Sequence, residues 1–520
     1  MVGGAFALGV TVLTLAAVTA AGLLYSRGRI GSVEDYVSAR NSAGAGSTAA
    51  TLVASGMGAW ILFSPAEAGA AFGGLAAVVG YAVGSAVPLL LFVSVGPRLR
   101  EHLPGGHSLT EYVYARYGAR MYGYVLVITA FYLFVFLAAE MTAVVNALSV
   151  VADVPAWLTA GIVGAFVLVY TGYGGLVASI FTDTLQTLVV LPLLAVSVAA
   201  VVVGLGGATG LHGAVVATNP DLLDPTFLPG VAFGAYVVIA VAGANVFNQG
   251  QWQRVFAAES DAAVRRGFVL AAVAVVPMVL LAGLFGVVAA GLGLLDAAAP
   301  SVAFFVVVAA ALPEWATLGV VVLVVLLVTS TADTLCNALA SVVTVDLSRL
   351  LDDPSAGTLQ RAARGLTVVV AVGAVAVSAR GYSVLELFLL ADLLGAATFI
   401  PFLHGLYSGR ATESGALSGS VAGLAVGLAY FPTLHGVATS VPVVGPLLPG
   451  ASFVHAFGGA AGVSAAVSLV AALTADDRFD LETLEADVRS LDDPVTDGGS
   501  VRVAAGDPGR RADGGSEVDR

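Results

Sequence analysis

The chain has 520 residues, 58% of them hydrophobic and 11% charged, with a mean hydropathy of +0.96. Continuous apolar runs of about 20 residues recur along it, which excludes an ordinary soluble domain and points to spanning helices rather than a barrel. Net charge is −13 and all 21 basic residues are arginine; no basic face exists to meet nucleic acid, and the halophile-like composition fits an acidic surface that stays hydrated in salt.

In chain order, apolar runs predict thirteen transmembrane helices near 4–25, 48–73, 75–97, 121–149, 156–172, 180–205, 231–249, 265–293, 316–344, 362–379, 385–407, 413–431 and 454–474. The first, "MVGGAFALGV…", lacks a basic leader and reads as a retained span. The short apolar stretch 301–312 reads as a re-entrant or capping helix. Arginine placement orients the chain. With the N-terminus out and the C-terminus in, the inner loops hold Arg27, Arg29 and Arg40, then Arg98, Arg100, Arg116 and Arg120, then Arg254, Arg265 and Arg266. Arg349, Arg361, Arg364, Arg410 and the tail arginines follow on the same side, and only Arg380 falls outside. The transmembrane domain is 1–474. From 475 to 520 the chain becomes an acidic cytoplasmic tail, largely disordered, with a short surface helix expected at 479–491. The single cysteine, Cys336, excludes an internal disulfide and a cysteine metal cluster.

Spans two to six (about 48–205) and seven to eleven (about 231–407) superpose as two sets of five. An odd number per set gives opposite orientations, the arithmetic of an inverted repeat. The first span of each set is interrupted. "TLVASGMGAWILFSPAEAG" carries Gly56, Gly58 and Pro65. "IAVAGANVFNQGQWQRVFAAES" carries Gly243, Asn245, Asn248, Gln249, Gly250 and Gln251, although a span that simply ends at Asn248 accounts for Gln251 and Gln253, but not for Asn245. An unwound turn is tolerated in mid-membrane only around a protein-lined cavity. Ser55, Gly56, Trp60, Glu140 and Asn245 are the candidate solute contacts, Asn245 first because an amide both donates and accepts, with a structural hydrogen bond as the equal alternative for Glu140.

The ninth span reads "LLVTSTADTLCNALASVVTVDL". Ser330, Asp333/Thr334, Asn337, Ser341 and Thr344 recur every three to four residues and share one face. Such a stripe bonds neighbouring helices or lines a wet pathway with oxygen ligands for a hard cation. Other acids at membrane depth are Glu67, Glu140, Asp183, Glu386 and Asp392. Asp183 follows a glycine-rich turn, where a helix cap is the plain alternative to an ion ligand.

Four stretches in order resemble the sodium:solute symporter family of proline, pantothenate and sugar carriers. They are "SVEDYVSARNSAG" (32–44), "GGLVASIFTDTLQ" (174–186), "TSTADTLCNALASVVTVDL" (329–347) and "FLHGLYSGRATESGALSG" (402–419). The resemblance implies an all-α leucine-transporter-type core of five plus five inverted spans, with one span before it and two after. It implies sodium-coupled import of a small organic solute at the plasma membrane by alternating access, with co-transported sodium and no organic cofactor. By position, the family's sodium site maps onto the carbonyls of Ala54, Met57 and Leu327 and the hydroxyls of Ser330 and Thr331. Asp183 matches the acid linked to ion release. Amino acids such as proline, urea-like amides and short carboxylates are the solute classes in view. Gly56 stands where proline carriers place an Asp, and Ala244 where sugar carriers place a gating Tyr. A proton-coupled carrier using Asp183, Asp333 or Asp392, or a membrane solute sensor of the same fold, are the alternatives. No nucleophile, base and orienting group form a set, so an enzyme is not expected, and no obligate protein partner is implied.

Overall fold

A computed structural model describes residues 3–26, 40–171, 175–295, 299–350, 356–441, 445, 448–476 and 478–487. Among them the structure is helical throughout, with one isolated bridge between Ala43 and Ala258. Nine helical segments are long and apolar enough to cross a hydrocarbon core, and one sharply bent pair adds a tenth. The other three predicted spans are also helices, with shorter apolar stretches or many small residues: α7 (Ala156–Thr171), α15 (Ala356–Ser378) and α18 (Glu413–Tyr430).

α1 (Gly4–Ser26) lies at the periphery against α8 (Gly175–Gly204) and α14 (Glu314–Leu350). Its Thr11, Thr14 and Thr19 each donate to the carbonyl four residues back, so no hydroxyl is left unpaired on an apolar surface. The bent pair is α2 (Ala45–Gly56) and α3 (Trp60–Ala71), which meet at 61°. Gly73, with φ +128°, makes the turn into α4 (Gly74–His102), a backbone conformation that side chains disfavour. A short helix α5 (Leu109–Tyr117) opens on a capping box of Ser108 and Glu111. The long α6 (Ala119–Ala152), then α7 and α8, complete this set.

After α9 (Gly207–Thr218) the order recurs: a broken pair, α10 (Leu228–Val246) and α11 (Gln249–Ala257), a long α12 (Asp261–Gly291), a short α13 (Ala303–Ala311), a longer α14, then α15. The predicted eleventh span is broken as well, into α16 (Val384–Ala396) and α17 (Phe399–Tyr407). α18, the short α19 (His435–Thr439) and α20 (Phe453–Leu473) end the helical part. At 1.5 Å per residue α6 and α14 run about 50 Å each, well beyond a hydrocarbon core of roughly 30 Å. α14 carries Cys336, fully buried.

Two contacts show how a glycine-rich chain packs. A Cβ on Gly80 of α4 would overlap the backbone of Gly234 on α10, so these helices meet main chain to main chain. On α18, Gly415, Gly419, Gly423 and Gly427 repeat every four residues, and three of them would overlap Ala471, Ser464 and Ala460 of α20 if they carried side chains. The residue 301–312 expectation corresponds to α13 and its preceding turn; α13 buries Phe304 and Phe305, the latter against Phe63 at 4.7 Å.

Arginines gather at one end of the bundle. Arg40, Arg98, Arg100 and Arg265 line one open cleft there. Arg40 donates to the carbonyls of Pro104, Gly105 and Gly106, and Arg116 to those of Gly405, Ser408 and Ala411. The start of the tail docks at this end. Phe479 donates to Gly409 O at 2.8 Å and lies under Arg116, and Leu484 is buried. The helix expected at 479–491 is a 3-10 turn at Leu481–Asp487, and residues from 488 lie outside the described part, as do Arg27, Arg29 and most of the first inner-loop stretch. Arg254 corrects the sequence reading: it belongs to no loop, but to α11, and is 1% exposed.

Candidate functional site between the broken helices

α2 stops at Gly56 because Gly56 and Gly58 weaken the helix, and the ladder lapses over the three residues Met57, Gly58 and Ala59. Met57 N still reaches Val53 O, but no amide reaches the carbonyls of Ala54 or Met57. Two side chains repair the rest. The Trp60 indole donates to Gly56 O at 3.0 Å, and the Glu140 carboxylate of α6 accepts Ala59 N at 2.7 Å and Trp60 N at 3.3 Å. A carboxylate at a helix N-terminus meets both the free N–H groups and the positive end of the dipole. A side chain on Gly58 would overlap this carboxylate.

In the second pair the break falls at Phe247 and Asn248. Asn248 caps α11 by accepting from Gly250 N at 3.0 Å, and Trp252 Nε1 reaches back to Val246 O at 2.7 Å. Asn245 donates to Val241 O and accepts from Gln251 Nε2 at 3.5 Å. Gln249 spans outward, accepting from Leu109 N and donating to His107 O, and so anchors α11 to the approach to α5.

The two breaks line one compact cavity of about 50 Å³. Gly56, Met57 and Trp60 come from the first break and Asn245 and Gln251 from the second. Of the predicted solute contacts, Gly56, Trp60 and Asn245 are therefore brought together. Ser55 and Glu140 are not: Ser55 Oγ donates to Thr51 O within its helix, and Glu140, with no exposed surface, is consumed by the break itself. The rest of the wall mixes the rings of Tyr81, Tyr132, Phe136 and Phe388 with aliphatic side chains, and carries Ser85 of α4 and Asp392 of α16.

Toward the arginine-bearing end lies a dense polar network. Asp183 is eight residues into α8 and fully buried, so the helix-cap alternative for it is corrected. Its carboxylate accepts from Thr51 of α2 at 2.6 Å, from Ser330 of α14 and from Arg254 of α11 at 3.0 Å. The Arg254 guanidinium also donates to Thr334 Oγ1 at 2.8 Å and to Thr51 Oγ1 at 3.2 Å. Four helices are thus held through one buried ion pair. On α14 the polar stripe is real: Ser330, Thr331, Asp333, Thr334, Asn337 and Ser341 are all buried. Thr344 lies outside the described side chains. Thr329 accepts from Gln186 Nε2 of α8 at 3.1 Å.

The predicted sodium ligands are distributed as follows. Ala54 and Met57 offer unpaired carbonyls at the α2 break, and Leu327 is buried one turn before Ser330 on α14. α2 and α14 meet through Asp183, which binds Thr51 and Ser330 at once. Ser330 is thereby engaged, whereas Thr331 Oγ1 is fully buried without a partner. A buried hydroxyl with no hydrogen bond and carbonyls freed at a helix break are the kinds of oxygen donor that suit a hard monovalent cation. Among the described residues no cluster of three His, Cys, Asp or Glu could hold a multivalent metal.

A model of the family described as "Sodium:solute symporter family" matches residues 36–423. The chain belongs to the sodium:solute symporter family. Among curated relatives, a spermidine transporter of Candida albicans (strain SC5314 / ATCC MYA-2876) is 28% identical over 388 residues, 74% of this chain and 71% of that protein. A urea-proton symporter of Oryza sativa subsp. japonica is 27% identical over 399 residues, 68% of this chain, and this chain spans only 54% of its length. Among solved structures, a substrate-bound, outward-open Na+-coupled sialic acid symporter aligns with a TM-score of 0.73 at 17% identity, covering 91% of this chain and 98% of the other. A nucleobase-cation-symport-1 family transporter in a closed conformation, with bromovinylhydantoin bound, aligns at 0.54 and 16% identity, covering 87% and 98%. These likenesses establish the leucine-transporter-type fold.

Within this symporter-family fold, sequence reasoning misplaced Arg254 and Gln251, and named Asp392 without its surroundings. Gln251 was assigned to a loop, yet it lines the cavity. Arg254 carried a signal that was misread, since a lone arginine six residues past an Asn-Gln break is too close to the membrane centre for a loop. Asp392 was legible as a membrane-depth acid, but nothing in its own helix told which residues surround it.

Proposed function

We propose that this chain couples sodium inflow to the import of a small nitrogen-containing organic solute across the plasma membrane, by alternating access. In this reading the N-terminus is outside and the arginine-bearing end faces the cytoplasm, as expected where loop arginines concentrate. The observation that carries the proposal is the pair of helix breaks lining one cavity, with unpaired carbonyls at Ala54 and Met57 at the end of α2, which Asp183 ties to the hydroxyl-rich face of α14. Sodium binds Ala54, Met57, Leu327, Ser330 and Thr331. Solute binds between Gly56, Trp60 and Asn245. The repeats 48–205 and 231–407 rock about this centre, and Asp183 assists ion release because it holds Ser330 directly. The named substrates of the curated relatives, spermidine and urea, support a nitrogen compound over a sugar.

Proton coupling is the second reading. It is favoured by the buried carboxylates Asp183 and Asp333 beside the same site and by the likeness to the rice urea-proton symporter. Uptake of labelled solutes into proteoliposomes, driven by a sodium gradient at fixed pH or by a pH gradient without sodium, separates the two. Uptake that ignores the sodium gradient ends the sodium reading.

A further inference from the structure

Asp392 is 5% exposed, and its carboxylate makes no hydrogen bond or ion pair with any described residue. It faces the cavity between the helix breaks. A buried carboxylate without a partner is costly, and native proteins keep one only where something else supplies the partner. The wall around it explains what that partner is. Tyr81, Trp60, Phe388, Phe136 and Tyr132 follow one another round the cavity. Successive ring centroids are 5.9, 6.1, 4.8 and 5.8 Å apart, and the rings come from α3, α4, α6 and α16.

The cavity holds no arginine, lysine or histidine. An anionic solute would meet Asp392 with nothing to neutralise it, so short carboxylates are disfavoured. A neutral polyol would find few polar groups: Ser85, Asn245 and Gln251 stand among the rings, and Asn245 is already bonded within its helix. A cation finds everything it needs. Asp392 takes its negative charge once a cation is there to hold it, and aromatic rings from four helices line the same low-dielectric cavity, where they attract positive charge.

We propose that Asp392 and this ring of aromatic side chains form the recognition site for an ammonium group, and that the solute is an organic amine cation. The inference rests on the reading that the cavity between the breaks is the solute site. It adds the charge class of the solute and the residue that selects it. The cavity is small, so it takes the ammonium head group, and the rest of a longer solute extends along the path by which it arrived.

Equilibrium binding tests this without any gradient, so its outcome is independent of coupling. Purified full-length protein is titrated with choline, putrescine, urea and acetate, with thermal stabilisation and Trp60 fluorescence as readouts. Choline or putrescine should bind, and Asp392→Asn should weaken that binding by about tenfold to a hundredfold, the range for a lost charge-assisted contact. Phe388→Leu should weaken it by a few-fold to about thirtyfold while leaving any urea binding unchanged. If Asp392→Asn does not fold, Asp392→Glu, which keeps the charge, carries the test together with Phe388→Leu. Binding of urea or acetate but of neither amine overturns the inference and leaves coupled transport standing. So does amine binding that survives Asp392→Asn, or no binding by any amine. Amine binding that needs Asp392, in a protein whose uptake ignores sodium, upholds the inference and removes the sodium reading.

Discussion

The cavity between the breaks and the network around Arg254 lie within two turns of each other on α2, at Gly56 and Thr51, and they handle buried charge in opposite ways. Around Arg254 the ion pair itself is fully engaged: Asp183 takes three donors, and the guanidinium has four acceptors counting Gly250 O. In the cavity Asp392 has none, the Ser85 hydroxyl is buried unpaired, and the Gln251 carbonyl is unpaired too. The contrast separates a network that fastens four helices from a cavity whose polar groups stand unpaired. A satisfied network fixes one arrangement of α2, α8, α11 and α14. An unsatisfied one is stable only when something transient completes it.

The largest effect should come from breaking the satisfied side. Arg254→Met leaves Asp183 buried and unpaired, which costs about 3–5 kcal/mol. Thermal unfolding should show a strongly lowered midpoint, and adding Asp183→Leu should recover much of it, because the lone charge is then gone. A double variant no more stable than the single would mean that Arg254 acts by packing alone. Next comes the splice at the first break. Glu140→Ala removes the acceptor for Ala59 N and Trp60 N, and losing two charge-assisted bonds should cost about 2–4 kcal/mol. Hydrogen exchange at residues 57–61 should accelerate selectively; an even acceleration throughout α6 would point to the helix instead.

The remaining effects fall on affinity, and the first involves Ser330, which also belongs to the satisfied network through Asp183. Ser330→Ala with Thr331→Ala removes two hydroxyl oxygens with little change in volume. Half-saturating sodium should rise about tenfold or more, and an unchanged sodium dependence would remove these residues from the site. Asn245→Ala is the mildest. Its amide is partly engaged with Val241 O, so solute affinity should drop only about three- to tenfold, with sodium affinity less affected. Equal losses for both would show that the two sites share that side chain.

The two breaks were legible because their cause is local. Gly56 and Gly58 sit where the ladder lapses, and Asn245 and Asn248 are residues that cap or leave a helix rather than continue one. The stripe on α14 was legible for the same reason, since three- to four-residue spacing puts Ser330, Asp333, Asn337 and Ser341 on one face. What the sequence hid was pairing at a distance. Arg254 was read as a loop residue by a rule about isolated arginines. The rule fails when a carboxylate 71 positions earlier is folded against it. Asp183 was weighed as a cap because its partners, Thr51, Ser330 and Arg254, lie on three other helices. Asp392 was visible as an acid at membrane depth, but an aromatic box drawn from four helices has no sequence period. Glu140 was given to the solute because it lies mid-span; only the free amides of a neighbouring broken helix reveal its task.

Cys336 has one more use. It is the chain's single thiol, and it is completely buried on the helix that bears Ser330 and Thr331. The native protein is therefore silent to thiol-specific dyes at its surface. Cysteines introduced at chosen surface positions can be labelled cleanly and used as molecular rulers. Any slow labelling of Cys336 itself measures how often its helix is laid open, a clock already wired into the molecule.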